Sequence, residues 1–181
     1  EGGNLTVNSG TYKASNSTFA DIGVKELHGA QVVGGFGMVT INGGTFTGSM
    51  ADFYAVGLCG QYNYVINGGE FTNSTSGVGI NLDPHPYTEA KNSVTINGGN
   101  FHHNKNNGIT VGCPSGSQAG TTTATVNGGS FHDNGLNGIS VIDVNQTCSI
   151  KRADIYNNKY VGVLTGGGTV GFISTSADAA D

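Results

Sequence analysis

The residues with the strongest claim to chemistry are Asp83 and His85, which flank Pro84 in the run Asp83-Pro84-His85-Pro86. A carboxylate and an imidazole this close can divide the acid and base roles of a proton transfer. The same run also reads as a rigid loop, because Asp before proline starts turns readily and each proline fixes its own φ. The loop reading needs no catalysis and is the simpler one.

Histidine supplies a second candidate. His102 and His132 hold the same place in two copies of a repeated phrase, next to His103 and Asp133. Two imidazoles and a carboxylate at such spacing are ligands for a transition metal. Their counterparts in other copies, Thr47, Thr72 and Tyr156, are not ligand-rich. The simpler reading puts the histidines on a solvent-facing row behind inward Phe101 and Phe131. No metal and no other cofactor are expected. Calcium has little more support, since the acidic residues are scattered and form no DxDxD-type cluster. No nucleophile motif points to a Ser-His-Asp triad, and neither GxGxxG nor GxxxxGKS occurs.

Three cysteines are present. Cys148 takes the place of Val94 and Ala124 in the repeat, which predicts a buried thiol. Cys113 opens a Pro/Gly/Ser loop over 112–120, and a Cys113–Cys148 bridge forms if that loop folds back. The odd count leaves at least one thiol free or intermolecular. Asn4, Asn16, Asn73 and Asn145 begin N-x-S/T sequons and are the candidate glycosylation sites.

The elements that must position these groups repeat along the chain. VTINGGNFHHNKNNGITV at 94–111 returns as ATVNGGSFHDNGLNGISV at 124–141. Each copy holds two short runs of alternating apolar and polar residues, separated by a Gly-Gly bend, one Phe and an Asn-rich corner. Such runs read as short strands with one buried face. Copies can be followed through Val7, Ile41, Ile66, Ile96, Val126 and Ile150, at steps of 34, 25, 30, 30 and 24 residues. GIT at 108–110 tracks likewise with GIN at 79–81, GIS at 138–140 and GVL at 162–164. One copy cannot bury its own apolar face, so the copies must stack. The prediction is an all-β chain, a single-stranded right-handed parallel β-helix of about six coils, forming one domain over 1–181.

Composition agrees. Glycine supplies 32 of 181 residues and asparagine 20, yet 36% of residues are hydrophobic and recur in phase. Stacking predicts inward columns of Ile41, Ile66, Ile96 and Val126, and of Phe46, Phe71, Phe101, Phe131 and Ile155. Beside the bend, Asn42, Asn67, Asn97 and Asn127 would form a hydrogen-bonded ladder at the inter-strand spacing of ~4.8 Å. The paired glycines suit a corner that needs φ > 0 or a missing Cβ.

The coil phrase resembles the right-handed parallel β-helix superfamily of pectate-lyase-like proteins over nearly all of the chain. LDPHPYTEAKNSVTINGGNFHHNKNNGI (82–109) is similar to the DPH motif and following coil of mannuronan C5-epimerases, and HDNGLNGI (132–139) is similar to that family's repeats. The resemblance implies abstraction of the C5 proton of a uronate, with Asp83 handling the sugar carboxylate and His85 acting as base or acid. The chain departs from the pattern by placing Ile80 where the family has tyrosine. It also has no lysine between Lys25 and Lys91, and Arg152 is its one arginine.

A net charge of −5 with no basic run argues against a nucleic-acid groove and against attraction to anionic membranes. No apolar segment is long enough to span a membrane. A neutral glycan remains compatible, with Tyr12, Tyr62, Tyr64 and Tyr156 as candidate stacking platforms. No capping helix is readable at either terminus, and open solenoid ends invite axial stacking on further copies. The expectation is an extracellular structural or adhesive module that stacks on itself and carries or binds glycans. The alternative is a polysaccharide-modifying enzyme, a uronate epimerase or lyase, centred on Asp83 and His85.

Overall fold

The computed structural model describes residues 4–13, 22–24, 37–47, 54–59, 62–74, 78–83, 91–112 and 121–172, and every helix or strand among them is a β-strand. The strands fall into three parallel sheets that the chain visits in rotation. The first holds β1 (Leu5–Val7), β4 (Gly37–Ile41), β7 (Tyr62–Ile66), β10 (Lys91–Ile96), β13 (Thr121–Val126), β16 (Thr147–Ile150) and β19 (Thr169–Phe172). The second holds β2 (Thr11–Tyr12), β5 (Thr45–Thr47), β8 (Glu70–Thr72), β11 (Asn100–His102), β14 (Ser130–His132) and β17 (Asp154–Tyr156). The third holds β3 (Ile22–Val24), β6 (Tyr54–Cys59), β9 (Val78–Asp83), β12 (Ile109–Val111), β15 (Ile139–Ile142) and β18 (Val163–Gly166). Strands lie side by side in chain order, so each circuit of the three sheets pairs with the circuit before it and the one after. The arrangement is compatible with a parallel β-helix.

The register follows the repeat. Val7 stands opposite Ile41, then Ile66, Ile96, Val126 and Ile150, and the column runs on to Phe172. In the third sheet Ile80, Ile109, Ile139 and Val163 are in register. The connection from first to second sheet is always three residues long, whereas the return from third to first varies between two and twelve. Unequal repeat steps are therefore absorbed mostly on the return, with a smaller share in the second-to-third connection of five to nine residues. The corner between first and second sheets stays fixed in length.

That corner explains its own composition. The Asn97 side-chain amide donates to Asn67 Oδ1 at 2.8 Å, Asn67 to Asn42 at 2.8 Å, and Asn127 to Asn97 at 2.9 Å, with Asn8 beginning the ladder. Of the two glycines that follow Asn97, Gly99 has φ 113°, a backbone that L side chains rarely adopt. Gly98 needs space instead, since a Cβ there would lie 2.8 Å from the Asn67 carbonyl oxygen of the circuit below.

Burial alternates along β10 and β13, so Val94, Ile96, Ala124 and Val126 are sealed while their neighbours face out. The rings of Tyr12, Phe46, Phe71, Phe101 and Phe131 form a continuous stack with centroids 5.0, 4.9, 4.6 and 4.7 Å apart. One ring per circuit at the inter-strand spacing leaves little other geometry open to them. Ile155 extends this column with a half-buried side chain. In β12 and β15 both faces are buried, with Thr110 and Ser140 covered as well as the inward Ile and Val residues.

Candidate functional site

Asp83 closes β9 with its backbone opposite Cys59. His85 lies outside the described residues, as do Pro84 and Pro86, so the acid–base pair read from the sequence has no geometry here. The polar groups that the structure does bring together are on the outer face of the second sheet, around the histidines.

Two outward columns run up that face. Glu70, Asn100, Ser130 and Asp154 are in register, and so are Thr72, His102, His132 and Tyr156, with the inward Phe column between them. Alternation places them: in each three-residue strand the middle residue is inward and the two flanking residues share the outer face. The rings of His102, His132 and Tyr156 stack in parallel, with centroids 5.0 and 4.7 Å apart and planes within 2°. Their faces are therefore occupied by one another, and the ring edges carry the hydrogen bonds.

Those bonds link three circuits. His132 meets Asp133 Oδ2 through Nδ1 at 2.6 Å and Asn100 Oδ1 through Nε2 at 2.7 Å. The Asn100 amide donates to both oxygens of Glu70 at 3.3 Å, and Glu70 pairs with His102 Nε2. On its other side His102 Nδ1 faces Nδ1 of His103, with Thr72 Oγ1 3.4 Å away. The hydrogen bond from His132 holds the Asp133 carboxyl below its usual value; partial burial opposes this, and the charges of His132 and His103 add to the lowering.

The turn that follows this sheet is the same in the four copies whose turn is described. Asn73, His103, Asp133 and Asn157 all have φ between 52° and 58°. Asn, Asp and His are the non-glycine residues most often found in that left-handed region. Behind the turn runs a second amide ladder: Asn104 donates to Asn134 at 3.0 Å and Asn134 to Asn158 at 2.9 Å. The same amides donate to the carbonyls of Phe71, Phe101 and Phe131. Asn137 donates in turn to Asn107 at 2.8 Å. Glu70, Asn100 and this second ladder escaped the sequence reading. The ladder's signal was present, since Asn104/Asn134 and Asn107/Asn137 repeat in place.

Among the described residues no group of three or more His, Cys, Asp or Glu side chains is arranged to hold a metal. Tyr64 is a core residue at 1% exposure and not a stacking platform, because it shares the inward column of Val94. Tyr12 and Tyr156 are members of the ring stacks, and Tyr156 is 48% exposed. Cys148 is a buried free thiol opposite Ala124, and burial pushes it up to about 12. Its proposed bridge partner Cys113 lies outside the described residues, as does the Asn16 sequon. Asn4, Asn73 and Asn145 are exposed, although Asn4 Oδ1 already accepts the Met38 N–H at 3.0 Å. Comparison with protein-family models, with curated proteins and with solved structures gives no match.

Proposed function

We propose that the three sheets are the faces of one right-handed parallel β-helix of about six coils, and that it serves as an extracellular structural or adhesive module that stacks end to end and carries or binds glycans. Handedness rests on the strong right-handed preference of parallel strand–crossover–strand connections. The observation that supports the functional reading is the constant register from circuit to circuit, because a strand pairing that repeats at every level can be continued by a further copy of the chain. A head-to-tail contact of this kind does not close on itself and so gives a filament. Exposed Asn4, Asn73 and Asn145 support the glycan part of the reading.

Solution mass measured across a concentration series, with negative-stain microscopy of the same samples, tests it. Filaments with an axial repeat of ~25–35 Å, about six coils at the inter-strand spacing, are expected. A chain that stays monomeric at the highest concentration overturns the stacking role. Release of 4,5-unsaturated products from polymannuronate by such monomers would transfer the assignment to uronate chemistry.

A further inference from the structure

We propose that the outer face of the first sheet binds ice, through two parallel rows of threonine and serine side chains. The rows follow from the register. In β10, β13 and β16 alternate residues point outward, and pairing sets Ser93 beside Thr123 and Thr147, and Thr95 beside Thr125 and Ser149. Thr169 continues the first row into β19, while Asn63 and Met38 extend it the other way. The second row runs through Val65 to Thr40 and Thr6. Val65 keeps the branched shape of threonine and lacks only its hydroxyl.

Constant register turns the rows into a grid. Its short side is the strand spacing of about 4.7–4.9 Å, and its long side is two residues of a parallel strand, about 6.6 Å. The oxygens on a prism face of hexagonal ice repeat on a rectangle whose two sides are close to these. A β-branched side chain has few χ1 choices, so the threonine oxygens and methyls hold their places before the ligand arrives. Little rotamer freedom is then lost on binding. In the first row the Ser93 hydroxyl donates to Asn63 Oδ1 at 2.6 Å, and Thr147 Oγ1 lies 3.4 Å from Thr123 Oγ1. No single contact needs to be strong, because every member of the grid engages one solid at once.

Charge selects the class of ligand. The chain carries −5, yet neither row holds an ionised side chain among the described strands, and Lys91 and Lys151 each lie two residues outside them. An uncharged grid fits an uncharged lattice and offers a polyanion nothing to pair with. The grid is also confined to one face. The outer face of the second sheet carries Glu70, His102, His132 and Asp154, and in the third sheet Thr110 and Ser140 are buried. Neither row holds an aromatic ring among the described residues, so a sugar chain finds no stacking platform there. Ice that advances past adsorbed molecules must curve between them, and that curvature holds its growth below the melting temperature.

The test surrounds a single ice crystal with the chain at rising concentration and reads the gap between melting and freezing temperatures, together with crystal shape. A faceted crystal and a gap that widens with concentration are expected. Thr123→Tyr, which lifts a ring above the grid at an exposed position, should remove most of the gap. Ser93→Tyr should do the same from the neighbouring strand, so that misfolding of one variant, read by circular dichroism, leaves the other to decide. Lys159→Tyr, exposed and outside the first sheet, should leave the gap unchanged. A round crystal with no gap in the parent overturns the proposal, as does an undiminished gap in either folded row variant. Retention on crystalline cellulose or chitin without any effect on ice also overturns it and gives the face to a neutral polysaccharide.

Discussion

The carbonyl oxygen of Asn67 lies 2.8 Å from the point where a Cβ on Gly98 would stand. One circuit thus passes so close over the next that no side chain fits between them. The same contact recurs at Gly43, Gly68 and Gly128, each against the Asn carbonyl of the preceding circuit. Gly98→Ala should lower stability by ~1–3 kcal/mol, the cost of forced local strain. Urea denaturation would measure it, and an unchanged midpoint would mean that the circuits can separate locally without cost.

The ring stack makes a second prediction. Phe101 is fully buried between Phe71 and Phe131, so Phe101→Ala should cost about 3–5 kcal/mol. Tyr12 ends the stack, is half-buried and has a ring on one side only. Tyr12→Ala should therefore cost clearly less under the same denaturation conditions. Equal losses would show that the stack does not behave as a column of independent layers.

The two amide ladders should respond differently to the same substitution. Asn104 is 2% exposed and serves Phe71 O, Asn134 and the Ser74 N–H together. Asn104→Ala leaves buried groups without that partner and should cost ~1–3 kcal/mol or more. Asn97 sits on an exposed ladder where water can replace the lost amide, so Asn97→Ala should cost less than ~1 kcal/mol. Thermal or urea midpoints of the two variants decide the order.

Cys148 predicts an alkaline weakness. Burial raises its thiol from an ordinary 9.0 to about 12, so between those values the unfolded chain has lost the proton that the folded chain keeps. The unfolded state then binds fewer protons, and stability must fall as pH rises through that window. Cys148→Ala, which copies Ala124 of the neighbouring circuit, should flatten this loss. Stability measured for both proteins at pH 8 and pH 10.5 tests it. Parallel slopes would assign the alkaline loss to another group.

Much of the architecture was legible because identical contacts recur at every level. The anchors from Val7 to Ile150, the Phe column and the ladder from Asn42 to Asn127 each repeat a residue type in place, and stacking turns such repetition directly into contact. Burial at the polar corner was harder to read. HHNKNNGI and HDNGLNGI are composed like an exposed turn, yet Asn104 and Asn134 point inward because strand-end carbonyls there need donors. Glu70 and Asn100 were invisible for a different reason. Their roles depend on which neighbour stands one circuit away, and that neighbour differs at each level: Glu70 meets Asn100, but Asn100 meets Ser130 in register and His132 through its amide. Tyr64 was misjudged by its chemistry, while its register with Val94 gave its position correctly.

The ladder hydrogen bonds all join one circuit to the next, so they lie along a single direction, as do the amide ladders and the ring stacks. Tension applied to the two ends of the chain along that direction would load the outermost circuit first, leaving those behind it intact. Yielding should then be stepwise, like peeling layers from a pile. Each event would free the 22 to 34 residues that separate registered positions. That is on the order of 75–120 Å of slack chain, so such a rod would lengthen many times over under load before it lost its last layer.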